Sequence, residues 1–303
     1  MKELIKELRK LDVGRVIEKV PLKEHTTYKV GGIAWCFVYP TCVKDLIKLI
    51  KFLNEKNVKY KVLGNGSNVL FSDDVYKGVI IKLDKLDNIE FKGTGNTVVV
   101  GAGYNLMKLS SMTARKSLTG LEFAFGIPGT VGGAVYMNAG AYKSDMGYVV
   151  KKVKVLTPDY RVITMTNKEL DFHYRSSFFQ KNPKYICLEA TIGLKKGKKE
   201  EIYKVNQERK QRRLESQPLE YPSAGSVFRN PEGLFAGKLI EDLGLKGLTK
   251  GNAQISNKHA NFIINIGGAT ANDIKELIEF TKMAVKDRYD VDLKVEQEFV
   301  NWE

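Results

Sequence analysis

Residues 120–147 hold seven of the chain's 27 glycines: Gly120, Gly126, Gly129, Gly132, Gly133, Gly140 and Gly147. The stretch reads Phe125-Gly126-Ile127-Pro128-Gly129-Thr130-Val131-Gly132-Gly133-Ala134 and continues to Asn138-Ala139-Gly140-Ala141-Tyr142. Pro128-Gly129 forces a turn. Gly132-Gly133-Ala134 removes side-chain bulk over a full turn of chain. Ordering glycine costs more conformational entropy than ordering any other residue. So much bare backbone therefore points to the close approach of a large planar or phosphorylated ligand. Bulky side chains at Gly66 or Gly132 are expected to occupy that ligand's phosphate or ring site.

A second glycine loop, Gly64-Asn65-Gly66-Ser67-Asn68, lies between a strand expected at 59–63 and Val69-Leu70-Phe71. Its spacing lets successive N–H groups converge, as in an anion-binding nest. It is not the dinucleotide fingerprint, having no third glycine and a strand, not a helix, after it. It also lacks the Gly-Lys-Ser/Thr of a Walker loop. A tight loop with Asx turns remains the alternative.

Around these loops the periodicity predicts an α+β chain in three parts. Helices are expected at 1–11 (Leu4, Ile5, Leu8 and Leu11 inward), 43–56 (Val43, Leu46, Ile47, Ile50 and Leu53 inward), 104–117, 201–215, 235–243 and 272–287. Strands are expected at 35–40, 59–63, 78–82, 97–100, 148–155, 161–165, 186–192, 261–265 and 291–300, with 194–200 as linker or hairpin tip. The 303 residues carry 49 basic and 35 acidic side chains, a formal charge of +14. Most lysines are spread along helices, and only KKGKK at 195–199 and RKQRR at 209–213 are dense. No nucleic-acid-binding motif accompanies the charge. The three cysteines and three histidines show no metal-ligand spacing, so no metal is expected. The charged amphipathic start and the lack of a long apolar run predict a cytosolic chain with no membrane association.

Several motifs recur in order: Thr27-Tyr28-Lys29-Val30-Gly31-Gly32, the two glycine loops, Tyr174-Arg175-Ser176-Ser177, Ser223-Ala224-Gly225-Ser226-Val227-Phe228-Arg229-Asn230-Pro231, Ala236-Gly237-Lys238-Leu239-Ile240 and Ser256-Asn257-Lys258-His259-Ala260-Asn261-Phe262. Together they resemble the bacterial UDP-N-acetylenolpyruvoylglucosamine reductases, from about residue 20 to 300. The chain resembles their shorter subclass, lacking an inserted tyrosine loop after YRSS. The resemblance implies a vanillyl-alcohol-oxidase-like (PCMH-type) FAD-binding fold in subdomains 1–83 and 84–198, with a C-terminal α/β substrate-binding domain at 199–303. It implies non-covalent FAD, NADPH as reductant and a UDP-sugar substrate whose enolpyruvyl ether is reduced to the lactyl ether of UDP-N-acetylmuramate, a peptidoglycan precursor. A monomer without a nucleic-acid partner is expected.

The same resemblance assigns roles. FAD falls to Gly64, Asn65, Gly66, Ser67 and Asn68, and to Ile127, Pro128, Gly129, Gly132, Gly133, Asn138, Gly140 and Ala141. Arg175, with its carboxylate-matching fork, would meet the charge developing at the substrate carboxylate. Ser226 stands where the family protonates the substrate carbanion. The catalytic acid near the C-terminus falls on Glu296 within Asp292-Leu293-Lys294-Val295-Glu296-Gln297-Glu298. This run departs from the family's Leu-Glu-x-Glu-Val at Lys294 and Gln297, and Glu298 lies on the same expected strand face. Tyr142 and Asn230 match positions near the substrate. His259 is either a substrate contact or structural, and Arg213 or Arg212 would meet the diphosphate. His25 is not expected to link covalently to FAD. Two rivals remain: another FAD oxidoreductase on the same fold, and a basic RNA-binding protein without catalysis.

Overall fold

Local spacing turns into helix where the apolar period is long enough. In the computed structural model, which describes residues 1–93 and 95–302, Lys2–Lys10 and Val43–Glu55 are helices. They bury Ile5 and Leu8, and Leu46, Leu49, Ile50 and Leu53 respectively, so Leu49 joins the expected inner face. The helix Ala271–Tyr289 starts in a reciprocal capping box. Thr270 Oγ1 accepts from Asp273 N at 3.0 Å, and the Asp273 carboxylate accepts from Thr270 N at 2.9 Å. The carboxylate of Asp73 takes two more of its N–H groups, from Ala271 (2.9 Å) and Asn272 (3.1 Å).

A four-stranded sheet has the order Gly14–Pro21, Ile33–Pro40, Tyr76–Ile81, Tyr60–Val62, the last pair being parallel. A five-stranded antiparallel sheet has the order Val162–Thr166, Val150–Leu156, Ile186–Gly193, Thr97–Gly101, Ile89–Lys92. Nearer the C-terminus, Thr249–Lys250, Ala253–Ile255 and Ile263–Asn265 form a three-stranded sheet. Glu298–Val300 pairs in parallel with Val69–Phe71.

Two compact units result, neither contiguous in sequence. Met1–Glu18, Trp35–Asn65 and Gly78–Lys210 make the first; Lys19–Ala34, Gly66–Lys77 and the chain from Gln211 onward make the second. Each has its own apolar core. The first includes Val98, Val100, Phe123, Val153 and Ile192. The second gathers Tyr28, Val30 and Leu70 with Val227, Phe228, Ile274 and Leu277. That shared core explains why 19–34 and 66–77, expected in the first subdomain, belong with the C-terminal unit. The division there falls within the helix Lys199–Ser216 and not at 198/199.

Three local expectations are corrected. Residues 131–137, read as bare loop, form the helix Val131–Met137. The expected linker at 194–200 contains Lys195–Lys196, which pairs with Leu118–Thr119. The strand expected at 291–300 is regular only over Glu298–Val300, and Val295 makes an isolated bridge to Phe228. The chain changes partners between these two pairings.

Candidate active site

The GNGSN loop is tied down at its ends and leaves N–H groups bare in its middle. Lys82, 6% exposed, donates from Nζ to Gly64 O. Gly66 O accepts from Thr27 N at 3.1 Å. Asn68 Nδ2 donates to Glu296 O at 3.1 Å, and Asn68 O accepts from Glu298 N at 2.9 Å. Among the described residues no hydrogen bond engages the N–H groups of Asn65, Gly66 or Ser67, although Gly66 is buried. Buried backbone donors are rarely orphaned, so the loop suits the oxygens of a diphosphate.

The helix Val131–Met137 follows from its caps in spite of Gly132-Gly133. Thr130 Oγ1 accepts from Gly133 N at 3.2 Å, Tyr104 O accepts from Val131 N at 2.9 Å, and Ala102 O accepts from Gly132 N at 2.8 Å. Its C-terminus ends at Asn138 in the left-handed region, φ 43°. Asn138 is buried, and its amide is spent on the fold: Nδ2 donates to His173 O at 2.8 Å and Oδ1 accepts from Gly147 N at 2.9 Å. Asn138 therefore shapes this segment from beneath.

The glycines divide by what a methyl group would touch. At Gly132 it would lie 2.9 Å from Ala102 Cβ, and at Gly64 2.8 Å from Thr130 Oγ1. At Gly66 it would strike the His25 carbonyl, and at Gly140 the Ser144–Asp145 backbone. The expectation that bulk at Gly66 or Gly132 intrudes on a ligand is thus corrected: it intrudes on the protein first. At Gly129 a methyl group meets nothing within 4 Å, and at Gly133 only Thr130 Oγ1 at 3.4 Å. Pro128 is exposed and Ile127 packs partly against the core. Exposed Pro128 and the unobstructed Cβ side of Gly129 leave room for a ligand at this turn, so the residues present are compatible with FAD.

Gly140 and Ala141 pair with Asp145 and Ser144, leaving Tyr142-Lys143 as the two-residue turn. Tyr142 OH donates to Arg209 O at 3.2 Å, and the Arg209 guanidinium sits 4.8 Å from the Tyr142 ring centre. Burial pulls the Arg209 pKa below the usual arginine value. A second tight turn, His173 to Ser176, presents Tyr174 and Arg175. Arg175 Nη2 donates to Gly140 O at 2.8 Å, and its own carbonyl accepts from Gln180 Nε2 at 3.0 Å.

In the second unit the backbones of the segments that carry Ser226 and Glu296 pair side by side. Glu296 N donates to Val227 O at 2.8 Å, and Arg229 N donates to Lys294 O at 2.9 Å. Buried Asn261 clamps the same segment: its carbonyl accepts from Val227 N, while its side chain accepts from Phe228 N and donates to Phe228 O. Glu298 instead pairs with Val69. Asn230 Oδ1 accepts from Ala236 N at 3.1 Å, at the start of the helix Ala236–Asp242. His259 Nδ1 accepts from Asn261 N at 3.2 Å, its ring packs on Phe262, and burial followed by the charge of Lys246 lowers its pKa. With Nδ1 accepting from Asn261 N, the neutral imidazole carries its proton on Nε2. Arg213 lies half-buried and Arg212 exposed on the helix Lys199–Ser216.

Arg175 and the Ser226–Glu296 pair belong to different units. Lys82, Arg209 and Gln180 were not picked out from sequence, although Arg209 lies in the dense RKQRR run, and Gln297 stood out only as a departure from the family's valine. Among the described residues no cluster of His, Cys, Asp and Glu could hold a metal ion.

Comparison with known proteins agrees with both units. Residues 34–166 match a family described as an FAD binding domain. Residues 217–300 match the C-terminal domain of UDP-N-acetylenolpyruvoylglucosamine reductase. Reductases of that name from Anoxybacillus flavithermus and Bacillus subtilis are 48% and 43% identical to this chain over 301 residues, covering 99% of both partners in each case. A crystal structure of UDP-N-acetylenolpyruvylglucosamine reductase from Thermus caldophilus superimposes with a TM-score of 0.81 at 37% identity, covering 94% of this chain and 98% of that one. A vanillyl-alcohol-oxidase-like FAD-binding fold and end-to-end identity of this order have one reading: the chain belongs to the UDP-N-acetylenolpyruvoylglucosamine reductase family.

Proposed function

We propose that this chain reduces the enolpyruvyl ether of UDP-N-acetylenolpyruvoylglucosamine to UDP-N-acetylmuramate, with FAD as cofactor and NADPH as reductant. The observation that supports the residue assignment is the 2.8 Å bond from Glu296 N to Val227 O, which pairs the segment of the acid with the segment of Ser226. When bound, FAD would supply the hydride chemistry between NADPH and the substrate's vinyl ether.

The chain's own residues do the rest. The N–H groups of Asn65, Gly66 and Ser67 would hold the diphosphate of FAD, and Ile127, Pro128, Gly129, Gly133 and Ala141 would border its ring system. Gly64, Gly132, Asn138 and Gly140 frame that site, and Asn68 links it to the Glu296 backbone. Arg175 places fixed positive charge where the carboxylate gains electron density. Ser226 donates its hydroxyl proton to the α-carbon. A serine hydroxyl is a weak acid, so the role suits only a strongly basic carbon. Glu296 is assigned as the acid in preference to Glu298, because its segment pairs with that of Ser226 whereas Glu298 pairs with Val69. Tyr142, Asn230 and Arg213 are assigned to the UDP-sugar, with Arg209 added through its contact with Tyr142. Residues 1–83 and 84–198 are assigned chiefly to FAD and 199–303 chiefly to the substrate, with Tyr142 and Arg175 as the substrate's contacts from 84–198. A cytoplasmic monomer without nucleic-acid or membrane partners completes the proposal; no described helix is long and apolar enough to cross a membrane.

Single-turnover kinetics tests the reading. The flavin is reduced with NADPH, the enolpyruvyl UDP-sugar is added, and the return of flavin absorbance is followed. Ser226→Ala should be reduced at the normal rate and reoxidised roughly 10²–10⁴-fold more slowly, about 3–5 kcal/mol of barrier. Normal reoxidation, with solvent deuterium still installed at the lactyl carbon, would show that Ser226 is not the proton donor.

A further inference from the structure

Tyr28 and Gln297 are 269 residues apart, yet both are buried and hydrogen-bonded to one another. Tyr28 OH donates to Gln297 Oε1 at 3.1 Å. The amide nitrogen faces two main-chain carbonyls, Ala224 O at 3.3 Å and Ser226 O at 3.5 Å. Carbonyl oxygens only accept, so the end of the amide that faces them must be the NH₂ group. Oε1 must then face Tyr28, and the phenol must donate. The orientation of the whole chain of bonds is fixed by what the two carbonyls can do.

The two carbonyls flank Gly225, which turns the backbone through φ +74° in open space, with nothing within 4 Å of where a Cβ would lie. No packing holds Gly225 from its Cβ side. On its far side the segment is held by the bonds of Val227 and Phe228 to Asn261 and of Glu296 to Val227. Tyr28 is itself anchored through its carbonyl, which accepts from Asn265 Nδ2 at 3.1 Å.

We propose that Gln297 is a positioning residue for Ser226: its amide, set by the Tyr28 hydroxyl, holds the left-handed Ala224-Gly225-Ser226 turn in register. This rests on the reading of Ser226 as proton donor. A proton transfer to carbon is sensitive to donor placement, and a displacement near 1 Å can cost about 10²-fold.

The test uses the FAD-loaded full chain with Tyr28→Phe and Gln297→Leu, alone and together, beside Ser226→Ala. Tyr28→Phe removes one oxygen, and Gln297→Leu removes the amide at similar volume. Flavin reduction by NADPH should stay within about 2-fold of the parent, while reoxidation by the enolpyruvyl UDP-sugar slows by roughly 10- to 100-fold in Gln297→Leu and less in Tyr28→Phe. The double variant should be no slower than Gln297→Leu, because both changes break one chain of bonds. The proposal is overturned if Tyr28→Phe and Gln297→Leu melt at lower temperature but reoxidise at the parent rate while Ser226→Ala is slow, since the pair would then serve stability alone. If Ser226→Ala itself reoxidises normally, the proton-donor reading fails, and this inference fails with it.

Discussion

Two glycines three residues apart separate what the fold needs from what a ligand needs. In Gly132→Ala the new methyl group would sit 2.9 Å from Ala102 Cβ and 3.2 Å from Ala102 O, where carbon contacts normally lie near 3.5–4.0 Å. Backing away would strain the 2.8 Å bond from Gly132 N to Ala102 O. Overpacking of this kind costs about 1–3 kcal/mol, and replacing a helical glycine by alanine returns about 1 kcal/mol. The flavin-free Gly132→Ala protein should therefore be destabilised by roughly 0–2 kcal/mol, and weaker FAD binding there would follow from the fold. Gly129 is the opposite case. Its φ lies outside the left-handed region and a methyl group meets no atom within 4 Å, so Gly129→Ala should leave the flavin-free protein unchanged or stabilise it by about 0.4–1 kcal/mol. If the flavin occupies that space, Gly129→Ala should nevertheless weaken FAD at least tenfold, about 1.4 kcal/mol or more. The measurements are thermal unfolding of the deflavinated proteins and fluorescence titration with FAD. Parent-like FAD affinity in Gly129→Ala would refute the placement of the cofactor over Pro128-Gly129.

Three further outcomes are expected. Asp73→Ala removes the acceptor for two N–H groups at the start of Ala271–Tyr289 and should cost about 1–2 kcal/mol in thermal or urea unfolding; an unchanged midpoint would mean that Thr270 and Asp273 suffice. Lys82→Met should leave Gly64 O without its donor and weaken FAD binding by titration, and wild-type affinity would show that the loop keeps its shape unaided. For His259 the folded pKa lies below its ordinary 6.5, first through burial and then through Lys246. The unfolded chain therefore takes up the proton first, so stability is full above about pH 6.5 and falls as pH drops toward the folded value. A melting-temperature series from pH 8 to 5 should fall less in His259→Gln than in the parent, and equal slopes would contradict it.

What the sequence displayed was what local spacing can encode. The helices at 2–10, 43–55 and 271–289 repeat their apolar residues every three or four positions, and the last starts in a Thr270–Asp273 capping box. The helix Val131–Met137 was hidden because two glycines disfavour helix, and the forces that override them, the Ala102 and Tyr104 carbonyls, lie in another segment. Short pairings such as Lys195–Lys196 with Leu118–Thr119 have no period of their own to read. The glycine loops pointed to a ligand, but most of their glycines answer to neighbouring protein atoms. Ser226, Arg175 and Glu296 stood out only through the resemblance, because one serine, one arginine and one glutamate carry no spacing. Buried Lys82 and the Tyr28–Gln297 pair depend on partners 18 and 269 positions away.

Backbone strain is where these strands of evidence meet. Tyr142 and Lys143 close a two-residue hairpin with φ of 56° and 60°, a geometry normally given to Asn-Gly, and Arg175 stands at φ 52° in its own tight turn. Each such residue costs roughly 1–2 kcal/mol relative to ordinary backbone. Strain persists only where surroundings over-determine it, and here they do. Arg175 Nη2 bonds Gly140 O within the strained hairpin, Gln180 Nε2 bonds Arg175 O, and Ser177 Oγ and Gln180 both bond Tyr136 O in the helix that Thr130 caps. A glycine at 142, 143 or 175 would relieve the strain but delete the side chain. Tyrosine and arginine kept at such positions mean that the direction of those side chains outweighs the local cost. The second unit does the opposite: Gly225 takes the left-handed conformation, φ 74°, without that cost, and Ser226 beside it keeps ordinary backbone.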